Sequence, residues 1–479
     1  MNKFWLLIFF IGFLAIFFAG AFFVFKDFTV QDSAVKDSFY VPQDIPNISE
    51  YITSSMPVDI ANSQAQEGGG YYLNDLTDVE NQFLAKASNF VEVNIPDMKV
   101  RAYKEGQLEK EVDIAAKGNY LDWGAVPAGL NVINQKIRAA FSVPAGLYMP
   151  WALQIYGKFY LHGIPYYPSG KKFWSRFSGG CIRMKDEDAP KIFGIAEQGW
   201  YIFVVDAKKD LTQYPTTVFT SFPKVSASSY LVADVNADYV FAQKASQQQF
   251  SMGPLTKLMS AMAITENVDL NRKVYIKKEM INLPGDTPGL EVDKNYRLYE
   301  LVYPMLISDS NNSANASSYI MGQQKTIDTM NAKAKSIMMA STNFVDAHGY
   351  NSENKTTAQD LYYLTRYIFN NSDHFLKITK SKRAENLGAL NFNLKELLNL
   401  NIFSKENYFW GGMAGNKIGE SQNGAFLFKF KSSENSNQKK NISVILLGSQ
   451  DIKKDVLAIN DWMSEHYQLE LEQATSTNY

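Results

Sequence analysis

Two short stretches decide the reading: Phe159-Tyr160-Leu161-His162-Gly163 and, further on, Ser178-Gly179-Gly180-Cys181-Ile182-Arg183-Met184. The first is an apolar strand-like run ending in a histidine and a glycine. The second sets the chain's single cysteine behind two glycines, 19 residues after that histidine. A thiol attacks only as the thiolate, and a neighbouring imidazole can lower its pKa and later return a proton to a leaving amine. Two glycines before the nucleophile let backbone approach a substrate carbonyl, so amides near Gly180 and Cys181 can hold a developing oxyanion. Arg183 adds positive charge nearby, for a substrate carboxylate or to favour the thiolate. Spacing alone leaves a second reading open: a buried cysteine in a glycine-rich turn, with an unrelated histidine.

Working outward, short strand patterns surround these stretches. Phe90-Val91-Glu92-Val93 opens the series, and Lys99 to Gly118 reads as a hairpin turning at Glu105-Gly106. Leu153-Gln154-Ile155 continues it and Tyr201-Ile202-Phe203-Val204-Val205 closes it. A mostly β domain over 90–206 is expected, followed by a polar linker at 207–227 with Pro215 and Pro223. Beyond it the pattern is mixed. Pro254 to Glu266 carries a helical stripe, Leu298 to Ile307 and Ala314 to Met321 read as helices, and Ala425 to Phe430 pairs with Ile442 to Leu447 before a helix from Lys453. This predicts an α+β domain over 228–479.

Upstream, Phe4 to Phe25 is 22 residues without a charge, about 33 Å as a helix and enough for a bilayer core. A single-pass anchor over 1–26 is expected, with a cytoplasmic tip and everything after Lys26 outside. Residues 27–89, with Gly68-Gly69-Gly70 and a short amphipathic helix from Asn74 to Ser88, read as a stalk. The expected location is therefore the wall side of the cytoplasmic membrane.

Composition narrows the classes. With 479 residues the chain is too long for one core at roughly 100–200 residues per domain. Lys+Arg 47 against Asp+Glu 49 leaves no basic footprint for a nucleic-acid partner. One cysteine excludes an intrachain disulfide and a cysteine-based zinc site. Without a spaced carboxylate–histidine cluster, His348 and His374 read as loop and surface residues. No metal or other cofactor is expected.

The strings around His162 and Cys181 resemble the YkuD-type L,D-transpeptidase family over about residues 90–206. That family has His-Gly, a similar gap, then Ser-His-Gly-Cys, and Gly124-Ala125-Val126-Pro127-Ala128-Gly129 stands where it has a Thr-Pro-x-Gly element. The resemblance implies a β-sandwich-like domain that acts on peptidoglycan stem peptides. The cysteine attacks the bond after the diamino acid, expels the terminal D-alanine and passes the acyl group to an amine on another stem. By position, Cys181 is the nucleophile and His162 the base, with Gly163 beside it. Ser178 orients the imidazole, the Gly180 and Cys181 amides form the oxyanion hole, and Arg183 meets substrate. One departure is plain: the family's second histidine is Gly179 here.

Residues 228 to about 466 resemble the low-molecular-weight penicillin-binding proteins, D-alanyl-D-alanine carboxypeptidases with a β-lactamase-like fold. The matching strings are Tyr230-Leu231-Val232-Ala233-Asp234, Pro254-Leu255-Thr256-Lys257, Ser310-Asn311-Asn312, Asn343-Phe344-Val345-Asp346-Ala347-His348-Gly349 and Lys417-Ile418-Gly419. The family's Ser-x-x-Lys serine is Pro254, which has no nucleophile yet suits the first turn of a helix. Ile418 replaces a hydroxyl residue that would meet a substrate carboxylate. Lys257, Ser310, Asn312 and Lys417 are then remnants holding the groove together or ligand contacts. The expectation is a membrane-anchored L,D-transpeptidase with an inactive second domain. Hydrolysis as an L,D-carboxypeptidase and a non-catalytic peptidoglycan-binding scaffold are the alternatives.

Overall fold

The computed structural model describes residues 68–118, 125–207, 214, 222–284, 290–382, 397–415, 421–432 and 439–472. It begins with β1 (Tyr71–Tyr72) and α1 (Leu76–Ala85). Asp75 starts α1 by accepting the N–H groups of Thr77 at 2.8 Å and Asp78 at 3.2 Å, while the Asp78 carboxylate accepts Asp75 N–H. That reciprocal box satisfies amides a helix start otherwise leaves bare.

A ten-stranded mixed sheet forms the first unit. Its strands are β2 (Phe90–Asn94), β3 (Lys99–Lys104), β4 (Gln107–Gly118), β5 (Gly129–Val132), β6 (Lys136–Ser142), β7 (Leu147–Tyr156), β8 (Phe159–His162), β9 (Phe177–Ser178), β10 (Ile182–Met184) and β11 (Tyr201–Val205), with α2 (Ala189–Ile195) before the last. The order is β5-β11-β2-β3-β4-β10-β8-β7-β6, with β9 against β4. The β3–β4 turn has Glu105 at φ 50° and Gly106 at φ 73°, the two positive values that match a tight turn to strand twist. β4 pairs with β3 along its first half and with β10 and β9 at its end. One strand thus joins two halves of a sheet that share one core, from Phe90 and Val93 to Leu153, Leu161 and Ile182.

The second unit is α+β. It runs through β12 (Ser229–Asp234), β13 (Tyr239–Lys244), β14 (Phe250–Ser251), α3 (Thr256–Asn267), β15 (Lys273–Tyr275), β16 (Asn295–Arg297), α4 (Leu298–Ile307), α5 (Asn311–Ser318) and α6 (Gln323–Ser336). It continues with β17 (Lys355–Thr356), α7 (Ala358–Asn371), α8 (Asp373–Thr379), β18 (Phe409–Ala414), β19 (Gln422–Ser432), β20 (Lys439–Ser449), α9 (Ile452–Tyr467) and β21 (Leu469–Leu471). The large antiparallel sheet has the order β1-β13-β12-β20-β19-β18, with β21 on β19. Leu231 and Ala233 of β12 face the core shared with the first unit, while Tyr230 and Val232 face a second cluster closed by Ile459 and Trp462 of α9. The sheet is therefore covered on both sides, which period-2 alternation along β12 produces directly.

Two expectations are corrected here. No helix among the described residues is long and apolar enough to cross a membrane, and Phe4–Phe25 lies outside the described residues. The described residues form a β-rich unit and an α+β unit, none of whose helices is a candidate membrane span, so neither the expected transmembrane helix nor the cytoplasmic-membrane location that rested on it is supported. Of the expected stalk at 27–89, residues 68–89 are among the described residues. Tyr71 and Tyr72 pair with Val240 and Tyr239, so β1 is an edge strand of the second unit's sheet. Within 207–227, the described Tyr214 stacks on Tyr239 and Phe222 on Tyr230, so these parts pack on the second unit.

Candidate active site

Strand pairing assembles the first site. β10 runs parallel to β8 in the register Ile182↔Leu161 and Arg183↔His162. Side chains alternate along a strand, so Leu161 and Ile182 enter the core while Tyr160, His162, Cys181 and Arg183 share the other face. Cys181 is level with Tyr160 and one diagonal step from His162. It packs against a small apolar group of Ala140, Met149, Ala152 and Tyr160 and remains half-buried.

β8 ends at His162, and the chain runs on beside β7 through Gly163 to a bridge between Tyr166 and Tyr148. Gly163 N–H donates to Pro150 O at 2.8 Å, and a Cβ on it would sit 3.2 Å from both Ala189 and Pro150 carbons. His162 Nδ1 lies 2.5 Å from Gly163 O. A carbonyl only accepts, so Nδ1 carries the proton and Nε2 becomes the ring's acceptor. Burial pushes the imidazole down to about 4, opposed by that carbonyl and assisted by the Arg183 charge. The ring is neutral at pH 7, the form a general base needs. Burial likewise raises the Cys181 thiol, against a Tyr160 backbone hydrogen bond and the Arg183 and Lys158 charges. At neutral pH the site rests with a neutral thiol and a neutral imidazole.

The loop before Cys181 is closed by Ser178. Its hydroxyl donates to Cys181 O and accepts Gly180 N–H at 3.1 Å. Both of these Ser178 contacts are to its own loop, and Gly180 N–H is directed at Ser178 rather than at a substrate oxyanion. Gly180 stands at φ 118°, a conformation that favours glycine. At Gly179 a side chain would meet nothing within 4 Å. Arg183 is buried, donates to Ser175 O at 3.4 Å and lies over Phe173 at 5.6 Å, so it braces the loop that leads to Cys181. That loop exposes Trp174 and Phe177.

The second site lies at the start of α3. Pro254 is buried in a short 3-10 turn, Gly253–Leu255, that runs into the helix. Its ring fills the space before Gly415, where an added Cβ would lie 1.9 Å from Pro254 Cβ. Lys257 Nζ lies 2.8 Å from Asp309 Oδ1 and donates to His348 O at 2.6 Å. Ser310 caps α5 by accepting Ser313 N–H at 3.1 Å, and Asn312 Oδ1 accepts Leu283 N–H at 3.0 Å. The loop after Asn343 is held by Asp346, which accepts the N–H groups of His348, Gly349 and Asn351. Gly349, at φ 80°, abuts Gly253 O. Lys417 and Ile418 lie outside the described residues. His374, expected at the surface, is buried, and burial pushes its ring down to about 3. Among the described residues no group of three or more His, Cys, Asp or Glu could hold a metal ion.

Asp309 and Lys158 are polar groups of these sites that sequence reasoning passed over. Asp309 directly precedes Ser310, a position from which it could have been weighed as the partner of Lys257. Lys158 lies in the turn before β8, and its relation to Cys181 becomes legible only once β10 is known to pair with β8.

Comparison with known proteins agrees with this two-unit arrangement. Residues 88–205 match the L,D-transpeptidase catalytic domain family, YkuD, and residues 216–448 match the D-alanyl-D-alanine carboxypeptidase family, peptidase S11. The chain thus carries a YkuD domain followed by a peptidase S11 domain. A D-alanyl-D-alanine endopeptidase from Haemophilus influenzae is 34% identical over 168 residues, 34% of this chain and 55% of that protein. One from Escherichia coli is 27% identical over 145 residues, 29% of this chain and 47% of that protein. The chain spans about half the length of these curated relatives. A crystal structure of a D-alanyl-D-alanine carboxypeptidase from Mycobacterium tuberculosis gives a TM-score of 0.45 at 18% identity, covering 53% of this chain and 97% of that one.

Proposed function

We propose that the chain is a peptidoglycan-acting L,D-transpeptidase working through a Cys181 acyl-enzyme, with a second domain that performs no acyl transfer. The observation that carries the reading is the shared strand face of Cys181 and a neutral His162 whose Nδ1 is committed to Gly163 O. His162 Nε2 takes the thiol proton as sulfur attacks the stem-peptide carbonyl next to the diamino acid. The resulting oxyanion is held by Cys181 N–H, because Gly180 N–H is engaged by Ser178. As the tetrahedral species collapses, the imidazolium returns the proton to the departing amine of D-alanine, leaving a thioester. An amine of a second stem then attacks the thioester, gives its proton to His162 and displaces the thiolate, which is reprotonated. Arg183 holds the approach loop and places a positive charge near the sulfur.

The same reading makes the second domain inert. A buried proline ring occupies the nucleophile position, and Lys257 is turned to Asp309. The test is to incubate the protein with tetrapeptide-bearing muropeptides and weigh the products. Cross-linked dimers lacking one terminal D-alanine support transfer to an amine. Tripeptide monomers alone indicate transfer to water, and no product from a folded chain removes the enzymatic reading.

A further inference from the structure

The β7–β8 hairpin that carries His162 ends in the turn Gly157-Lys158, and that turn is seated on the far end of α3. Lys158 is exposed as a whole, but its ammonium donates to Thr265 O and Val268 O, each at 3.2 Å. Thr265 lies in the last turn of α3 and Val268 directly follows the helix, where a cation is favoured by the helix dipole. The seat is close on both sides. Asn267 Nδ2 donates to Tyr156 OH at 3.0 Å, and a Cβ on Gly157 would meet Asn267 Oδ1 at 2.4 Å. Tyr160 and His162 alternate onto one face of β8, Lys158 sits in the turn directly before that strand, and extending the parallel register by one step puts Cys181 level with Tyr160.

We infer that Lys158 is a positioning residue that ties the Cys181 thiol to the second unit. By capping α3 it holds the hairpin, and with it His162, in register with β10, and it brings a positive charge to the thiol side of the sheet. The inference rests on the reading of Cys181 as nucleophile. It also gives the catalytically inert unit a structural part in the reaction, since helix α3, which starts beside Pro254, ends as the socket for the hairpin.

Burial lowers the Lys158 pKa, and Asp269 and Glu266 of the second unit oppose that. Glu266 also pairs with Lys333 at 3.2 Å, and Lys333 lies over the Tyr156 ring at 4.9 Å. On the thiol side, Arg183 is the other cation acting on Cys181, and the Tyr160 phenol faces the sulfur. The groups from β6 and β7 that pack on Cys181 are apolar. Removing the Lys158 charge leaves the Tyr160 backbone hydrogen bond and Arg183 to oppose burial of the thiol, and the thiolate becomes harder to form.

The test reads the alkylation of Cys181, the chain's single cysteine, by iodoacetamide across pH in the full chain, with thermal melting as the folding control. Lys158→Met should slow alkylation at neutral pH on the order of 3- to 10-fold and move its pH midpoint upward, the size expected for one partly screened charge. Lys158→Arg should restore both. Lys158→Gln keeps a donor for the α3 carbonyls, so it should melt nearer the unmodified chain yet still show the raised midpoint. Asn267→Ala should lower the melting temperature and leave the midpoint in place. An unchanged midpoint in folded Lys158→Met and Lys158→Gln would overturn the inference. Alkylation needs no substrate, so a Lys158-dependent thiol in a chain without muropeptide turnover would keep the coupling and remove only the transpeptidase reading.

Discussion

Lys257 Nζ lies 2.8 Å from Asp309 Oδ1, with the two side chains 1% and 5% exposed. A buried pair of this kind stabilises little compared with apolar packing, but removing one partner leaves a buried charge uncompensated. Besides Asp309, the Lys257 ammonium donates to His348 O at 2.6 Å. Asp309→Ala should destabilise the chain by about 3–5 kcal/mol, measured by urea unfolding. A loss below about 1 kcal/mol, the range of an exposed pair, would show that the pair is not the buried contact described.

The second domain should not react with β-lactams. Pro254 offers no hydroxyl, and its ring fills the space before Gly415. A fluorescent penicillin should leave no denaturation-resistant label on the peptide containing Pro254. Gly415→Ala should destabilise the chain, because the added methyl has no room beside that ring. Covalent labelling in that region of the unmodified chain would reveal a working serine and contradict the inert reading.

His162 gives a pH signature of defined sign. Its pKa is pushed down to about 4 by burial, below the ordinary value near 6.5. Between those values the unfolded chain binds a proton that the folded one refuses, so the stability contributed by the neutral ring is present above about 6.5 and lost as pH falls toward 4. Asp360, raised to about 7 by burial, acts in the opposite sense, so the difference between variants is the informative quantity. The gap in melting temperature between His162→Gln and the unmodified chain should shift in favour of the variant from pH 7 to pH 4.5. Activity on muropeptides should fall by about 10²–10⁴ in His162→Ala.

The two glycines before Cys181 should behave differently. Gly179 is exposed with open space around its Cβ direction, whereas Gly180 holds φ 118°. Gly179→His should fold with a stability change within about 0.5 kcal/mol. Gly180→Ala should cost more than about 1 kcal/mol, since alanine is strained there. Thermal melts of the two variants decide it, and equal losses would contradict the loop geometry.

Local pattern carried much of the fold. The short strand-like run at Phe90-Val91-Glu92-Val93, the Glu105-Gly106 turn and the stripe from Leu255 to Met262 each reflect short-range physics, and the corresponding strands and helix stand where those signals lie. Long-range pairing was not legible. Nothing near Tyr71-Tyr72 announces that this pair will join β13, nearly 170 residues downstream, because a two-residue edge strand has no period of its own. The membrane span was read from hydropathy over Phe4–Phe25, and no described helix supports one. At the site, residue types pointed to His162 and Cys181, whereas the partners of Ser178 depended on backbone geometry. Its hydroxyl closes its own loop rather than being seen on the imidazole, a choice the sequence does not encode locally.

The central claim is that Cys181 is acylated by a stem peptide. The direct measurement is intact-protein mass spectrometry after brief exposure to tetrapeptide-bearing muropeptides, followed by peptide mapping. The account predicts one adduct, equal to the muropeptide less D-alanine, on the peptide containing Cys181, and neither adduct nor product in Cys181→Ala. Product formation that persists in Cys181→Ala, or an adduct mapped to another residue, would contradict it.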